Sequence, residues 1–437
     1  MPVKYIDVTA VSDLFVPATR AYGDIAIVGK GRAGTPLSAP QEFTDPSTAI
    51  ATYPIVRTVT DAVLNSTTTV TSATADFVAA DVGRPVTGTG IPNGTTISAV
   101  TNATTITLSA AATATATGVA LTFGTLPTEP ASTDLAAAIA IAFRQTPPPT
   151  TIWGVQVDAT TPDWDGALTA VANLNVQIVV LANTPLNQTN TPLIGKLATH
   201  VATVSNTGGD GKERIGVAML DPTLTAATAA TLNADVVKNE RMYLIAHTSA
   251  EDAGAATAGV IAAYEPQISM LLKPISLAMT RLFSDADIDT FDGASINWVT
   301  SPVLIPGQAM FLGEGYTADP SQNMKYIDIV RIMDSTNFLI KAELIQAIGN
   351  YRISRSGLRG LVTLVQAVLS PQVALEVIDD YSVYIPLLVL LDKDPTTLSA
   401  AEQAEITQAQ ANRSVDMVVT VTYAGAIHRL QIDLVFQ

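Results

Sequence analysis

The 437-residue sequence contains no cysteine. That excludes a disulfide framework and a thiolate metal site, and it leaves the redox compartment unmarked. Charge is also scarce: 14% of residues are charged against 48% hydrophobic. This is low for a soluble surface and points to surface buried between subunits. Positive charge is the rarer sign, with 23 Lys and Arg facing 39 Asp and Glu, a net charge of -16 and a pI near 4.5. A nucleic-acid partner requires a basic footprint that displaces counterions from phosphate, so none is expected. The acidic balance instead keeps free subunits soluble. Long hydrophobic runs are missing as well. "YIPLLVLL" is too short to cross a bilayer, and "MPVKYIDVTAV" lacks the apolar centre of a secretory signal. The expectation is a protein made in the cytosol, without membrane insertion.

What is present changes style along the chain. Residues 1–54 hold a short strand from Val3 to Val8, the buried strand "DIAIVG", and a passage rich in Gly and Pro. Residues 55–124 are dominated by Thr, Ala, Val, Ser and Gly. There "TTISAV", "TTITLSA" and "GVALTFG" recur as short strands between turn signals, which predicts an all-β module inserted into a host domain. Residues 125–325 resume the host. "STDLAAAIAIAFRQ" is an apolar helix stopped by Pro147-Pro148-Pro149. The strands "TIWGVQV", "NVQIVVLA", "RIGVAML" and "RMYLIAH" then alternate with the helices "DWDGALTAVANL", "LIGKLATHVATVS" and "AATAGVIAAY", which predicts an α/β layer sheet.

Residues 326–437 read as α+β. Ile329, Ile332, Met333, Phe338, Leu339, Ala342 and Ile345 fall at helical spacing ahead of a Gly349-Asn350 cap. A second helix is interrupted at Pro371, and "YSVYIPLLVLL" reads as a strand. The ending predicts a two-stranded hairpin: Val415, Met417, Val419, Val421 and Tyr423 alternate before an Ala424-Gly425 turn, and Leu430, Ile432, Leu434 and Phe436 alternate after it. A terminal strand left as an open edge is a hazard unless something pairs with it.

Candidate chemistry is thin. Gly29, Gly31 and Gly34 follow a strand with the spacing of a dinucleotide fingerprint, but Pro36 and Pro40 oppose the helix whose N-terminus would face the phosphates. A glycine-rich turn is the expectation. Asp285, Asp287 and Asp289 occupy alternate positions of a calcium loop, yet Thr290 and Ile296 stand where it needs Gly and Glu, so a solvated acidic turn is expected. His200, His247 and His428 lie in different predicted elements, without metal-ligand spacing. No G-x-S-x-G elbow is present. No catalytic residue, cofactor or metal site is expected. Two sets of opposed charges, Arg352, Arg355, Arg359 and Arg413 against Asp285 to Asp292 and Glu376, Asp379 and Asp380, are candidates for docking between copies; ordinary solvated charge is the plainer reading.

Four ordered stretches resemble the contractile tail sheath proteins of myophages and related contractile injection systems. They are "GDIAIVGKGRAGTPLSAPQEFTDPSTAIATYP", "EDAGAATAGVIAAYEPQISMLLKPIS", "INWVTSPVLIPGQAMFLGEGYTADPSQNMKYIDIVRIMDSTNFLIKAELIQAI", and the portion from "GLRGLVTLVQAVLSPQVALEVIDDYSV" through "VTYAGAIHRLQIDLVF". The Thr-rich module resembles small β-domains of phage virion proteins. The resemblance implies a multi-domain sheath-type fold of mixed α/β and α+β character, with terminal strands that complete a sheet in neighbouring subunits. In that scheme Val3 and Tyr5 at one end, and Leu430, Ile432, Leu434 and Phe436 at the other, are the linking residues. It also implies self-association into helical rings around a tail tube, contact with baseplate and tail terminator proteins, assembly in the host cytoplasm into a virion or injection particle, contraction that drives the tube through an envelope, and no cofactor. The competing readings are an acidic S-layer-like surface protein and, on the glycine string, a dinucleotide-binding enzyme.

Overall fold

The computed structural model describes residues 21–32, 39–53, 56–126, 133–206, 211–307, 309–319, 324–426 and 428. Two compact units emerge, the larger holding Tyr22–Arg331 together with His428, the smaller Ile332–Ala426. The division falls inside a helix, a few residues beyond the change of style expected at 325/326.

In the larger unit, β1 (Ile25–Lys30) has Ile25 to Val28 fully buried, as its unbroken apolar run requires of a strand covered on both faces. The glycine string follows. A Cβ on Gly29 would stand 2.7 Å from Ala182 Cβ and 3.0 Å from Leu135 Cα, and one on Gly31 would stand 2.4 Å from the Gln156 Cδ. These glycines therefore serve close packing. The next described elements are β2 (Gln41–Phe43) and the short α1 (Pro46–Thr52), capped by Asp45. Gly34 lies outside the described residues.

The Thr-rich stretch forms its own six-stranded antiparallel sheet: β3 (Arg57–Asn65), β4 (Thr69–Thr71), β5 (Val86–Gly88), β6 (Ile97–Asn102), β7 (Thr105–Leu108) and β8 (Thr115–Phe123), in the order β5-β8-β3-β4-β7-β6. Its separate core includes Leu64, Val70, Phe77, Ile97, Ile106, Leu121 and Phe123. The long strand β3 escapes a pattern reading because register shifts between Val59 and Ala62 and between Ala62 and Leu64 break its alternation. Arg57 pairs with Phe123, so the module is entered and left on adjacent strands. Replacing residues 57–123 by a short Gly/Ser linker is therefore expected to leave the host sheet intact, with near-unchanged fluorescence of Trp153, Trp164 and Trp298. A collapse of the thermal transition would contradict this.

The host continues with α2 (Asp134–Phe143), β9 (Ile152–Val157), α3 (Trp164–Ala172), β10 (Ile178–Leu181), α4 (Thr191–Asn206), β11 (Ile215–Met219), α5 (Ala226–Leu232), β12 (Met242–Ala246), α6 (Ala253–Ala262), β13 (Pro274–Ile275), α7 (Asp285–Gly293), β14 (Asn297–Thr300), β15 (Met310–Leu312) and α8 (Ile327–Ala347). The sheet runs β13-β15-β14-β12-β11-β10-β1-β9-β2, parallel from β9 through β14 and antiparallel at both ends. Each face carries its own core cluster. The expected acidic turn at 285–292 is instead the helix α7. Ser284 caps it reciprocally with Asp287, and Asp285 and Asp287 lie in the first turn, where the helix dipole favours negative charge.

In the smaller unit, α8 ends at Ala347 and Gly349 adopts φ +85°, as the predicted cap requires. Not every residue at helical spacing is covered: Met333 is 36% and Ile345 66% exposed. The elements that follow are α9 (Arg355–Ala374), β16 (Ile378–Tyr384), α10 (Pro386–Asp392), α11 (Ala400–Asn412) and β17 (Val418–Tyr423). Pro371 does not interrupt α9, which runs on to Ala374, and its carbonyl accepts from the Leu375 N–H at 3.0 Å. "YSVYIPLLVLL" is not one strand. Ile385 is extended ahead of proline, and Pro386 occupies the first helical positions of α10. The first strand of the expected terminal hairpin is β17, which pairs antiparallel with β16, Val383 opposite Val419 and Tyr381 opposite Val421. Its second half, at Leu430 to Phe436, lies outside the described residues.

Two histidines fix an acid limit for this fold. Burial and the neighbouring Arg214 hold His200 down at about 4, and burial lowers His247, whose Nε2 donates to Leu220 O at 3.0 Å. Both are neutral when folded and take up a proton on unfolding once the pH falls below their ordinary value near 6.5. Stability should therefore be fully present above about pH 6.5 and fall as the pH drops toward 4, by on the order of 2 kcal/mol for His200. Urea midpoints of His200→Gln and the parent across pH 4–7 check this; parallel profiles would contradict it.

Candidate assembly interface

The β16–β17 pair is a two-stranded sheet standing on a helix. Ile378, Tyr381, Val383 and Val419 turn toward Ile332, Val365 and Leu369. The alternate positions Asp380, Ser382, Tyr384, Val418, Thr420 and Thr422 are exposed. One face is thus anchored on α9 and the other is open. Among the described residues the sheet contains no third strand. Two strands are marginal by themselves, and open edges carry backbone donors and acceptors ready for another strand.

The larger unit treats its edges differently. β2 is only three residues long, with Gln41 and Glu42 exposed. At the opposite edge, beyond β13, side chains occupy the backbone. Ser276 N donates to Gln145 Oε1 at 2.8 Å, and Ser276 O accepts from Gln145 Nε2 at 3.2 Å and from Arg144 Nη2 at 3.0 Å. Ala278 N donates to Glu251 Oε2 at 3.1 Å, and Glu251 is held by Arg144 at 2.6 and 2.8 Å. The Gln145 amide matches the backbone as a strand would, so this edge is closed. On the β16–β17 sheet the Tyr381 N–H donates to Asp380 Oδ1 at 2.8 Å.

Of the charges singled out in the sequence, Arg359 Nη2 reaches Asp392 Oδ1 at 3.0 Å. Arg355 bonds to Leu391 O and, at 3.0 Å, to Lys393 O, and lies 3.8 Å from Asp392. Arg355 thereby satisfies carbonyls at the end of α10. All three side chains are 40% exposed or more, so the pairs contribute little to stability. Arg352 and Arg413 are exposed; Arg413 ends α11 in the left-handed region. Glu376 follows α9 at φ +57°, and Asp379 and Asp380 are exposed on β16. Arg355 and Arg359 are thus joined to Asp392. Val3, Tyr5, Leu430, Ile432, Leu434 and Phe436 lie outside the described residues.

Two features carry no sequence signal. The loop between β14 and β15 exposes Val303 and Leu304 at 98% and 95%. In the larger unit, His428 is almost enclosed. Its Nδ1 lies 2.8 Å from Glu314 Oε2, its Nε2 lies 2.9 Å from Ser269 Oγ, and its ring packs on Tyr326 at 4.4 Å between centroids. Carboxylate, imidazole and hydroxyl follow in the order of a hydrolytic triad. Here, however, Ser269 Oγ also accepts the Leu271 N–H and Tyr326 covers the ring, so the arrangement is suited to clamping the chain.

No protein-family model matches the sequence, and no curated protein matches it. Solved structures do. The helical sheath of the anti-feeding prophage in its contracted state superposes with a TM-score of 0.54 at 11% identity, covering 98% of this chain and 99% of that one. A chain of the six-fold symmetrised anti-feeding prophage baseplate gives 0.53 at 11% identity over 100% and 99%. The contracted sheath complex PVC, of an extracellular contractile injection system, gives 0.50 at 15% over 70% and 80%. This chain therefore has the mixed α/β fold seen in contractile sheath assemblies.

Proposed function

We propose that this protein is a structural subunit of a contractile sheath, with no catalytic role, which polymerises around a tail tube and contracts to drive the tube through a target envelope. The observation that carries the reading is the unclosed β16–β17 sheet in a chain whose fold matches a contracted sheath end to end. Strand addition to that sheet joins copies: backbone hydrogen bonds supply attachment and alternate side chains supply fit. Leu430, Ile432, Leu434 and Phe436 are the apolar set of the donated segment at one end, and Val3 and Tyr5 serve at the other. Arg352, Arg355, Arg359, Glu376, Asp379 and Asp380 supply charge for contacts between copies. The Thr-rich module decorates the outer surface.

The partners are further copies in helical rings, the tail tube, and the baseplate and terminator at the two ends. Assembly takes place in the host cytoplasm, and the product is the contractile tail of a virion or injection particle. Contraction draws on the packing difference between two arrangements of the same surfaces, so no hydrolysis is needed.

The absence of cysteine makes the linkage directly testable. Leu434→Cys combined with Ser382→Cys or Thr420→Cys, treated with a bis-maleimide, should yield a ladder of covalent oligomers on a denaturing gel, while each single variant yields none above dimer. A double variant without the ladder would contradict strand addition at this sheet.

A further inference from the structure

The edge of the nine-stranded sheet beyond β13 carries no deterrent of its own. Residues 275–279 contain neither a charge nor a proline. Ile275 and Leu277 are 4% and 6% exposed, while Ser276 and Ala278 lie open to solvent. A neutral, alternating run of this kind at a sheet edge is a template for another strand. β2, at the other end of the sheet, discourages pairing by its short length and its exposed Gln41 and Glu42. At the β13 edge the deterrent comes from other elements instead. Gln145 is 2% exposed and is steadied by its Nε2 bond to Ile141 O at 2.9 Å. It takes both the donor and the acceptor of Ser276. Glu251 takes the Ala278 N–H two residues on, and Arg144 holds Glu251.

Backbone groups of alternate residues point to the same side of a strand, so Ser276 and Ala278 are the positions through which a further strand would pair. A cleft of about 850 Å³, lined in part by Arg144, Glu251, Ile275, Leu277 and Met310, opens on this edge and leaves room for one. The Arg144–Glu251 pair, with side chains 44% and 34% exposed, adds little to stability. Its placement is explained by the backbone groups that it and Gln145 occupy. Two identical strands paired antiparallel are self-complementary about a twofold axis: Ser276 of each copy stands opposite Ala278 of the other.

We infer that Gln145, Arg144 and Glu251 form an autoinhibitory guard, which occupies in advance the backbone positions through which two copies of this chain would join edge to edge at Ser276 and Ala278. Under the sheath reading above, a contact that closes after two copies withdraws them from helical growth. The guard itself does not depend on that reading.

Removal of the guard tests it. Gln145→Ala combined with Glu251→Ala should make the chain pair at this edge at concentrations at least about tenfold below any at which the parent does so. The reporter is Ala278→Cys, which places a single thiol in a chain that has no cysteine. With a short bis-maleimide the unguarded chain should give a covalent dimer, whereas the guarded chain carrying the same reporter gives none. Adding Ser276→Lys, which sets a charge on the edge, should abolish that dimer. The fluorescence of Trp153, Trp164 and Trp298 confirms the fold of each variant. Should the double variant unfold, Gln145→Ala and Glu251→Ala taken singly decide by the same cross-link. Equal dimer with and without the guard would overturn the inference, and so would a dimer that survives Ser276→Lys.

Discussion

A chain lacking Leu430–Gln437 should remain dispersed at concentrations at which the full chain forms tubes. The four apolar residues removed, Leu430, Ile432, Leu434 and Phe436, each contribute about 1.5–3 kcal/mol when buried, and each new backbone hydrogen bond about 1 kcal/mol net. Against this stands the cost of ordering the segment, about 1–2 kcal/mol per residue. A net loss of about 4 kcal/mol per link weakens each contact about a thousandfold, and every copy in a tube makes such a link. The described cores of both units lie elsewhere, so the thermal transition of the unassembled chain should hardly move. Sedimentation velocity separates the outcomes: one slow species is expected, and tubes from the truncated chain would remove this segment from the assembly.

Asp81→Ala should unfold the Thr-rich module while sparing the host. Asp81 is 1% exposed and accepts from three arginines: Arg84 Nε at 2.9 Å, Arg57 Nη2 at 3.3 Å and Arg32 Nη1 at 3.4 Å. Arg57 also lies over the rings of Phe77 and Phe123, and burial together with Arg32 lowers its pKa to about 10. Removing this buried carboxylate takes away the acceptor that the three guanidinium groups share. Breaking a buried ion pair in this way costs about 3–5 kcal/mol, comparable to the whole stability of a module this small. Because Trp153, Trp164 and Trp298 all lie in the host, their fluorescence should report an unchanged transition while amide exchange across residues 57–123 accelerates. Unchanged protection there would show that the arginine cluster does not hold the module.

Arg32 follows β1 of the host, so this cluster also ties the module to its neighbour through one side chain. No local pattern in the sequence discloses that, since the partners lie 49 positions apart. What the sequence does disclose is period and composition. The unbroken runs of β1, β10, β11 and β12 announce a buried parallel sheet because both faces of each strand are covered. Thr and turn glycines announce the strands β6, β7 and β8. Failures arise where a local pattern has two solutions. The apolar run after Tyr384 suits a strand or a helix, and Pro386 decides for the helix. The acidic run at 285 reads as a turn until Ser284 and Asp287 cap each other. The closing alternation identifies β17 as a strand but not its partner, because the pairing with β16 depends on how α9 places the two. For the candidate interface, the alternation of β17 is legible, whereas the β16–β17 sheet and the clamp on His428 are products of tertiary structure. The arginines were visible as charge, but Asp392, which engages two of them, was not.

Negative-stain electron microscopy of the purified protein reads tube formation from copies of this chain. Hollow tubes or stacked rings with regular striation are expected. A field of uniform single particles at every protein concentration would contradict this.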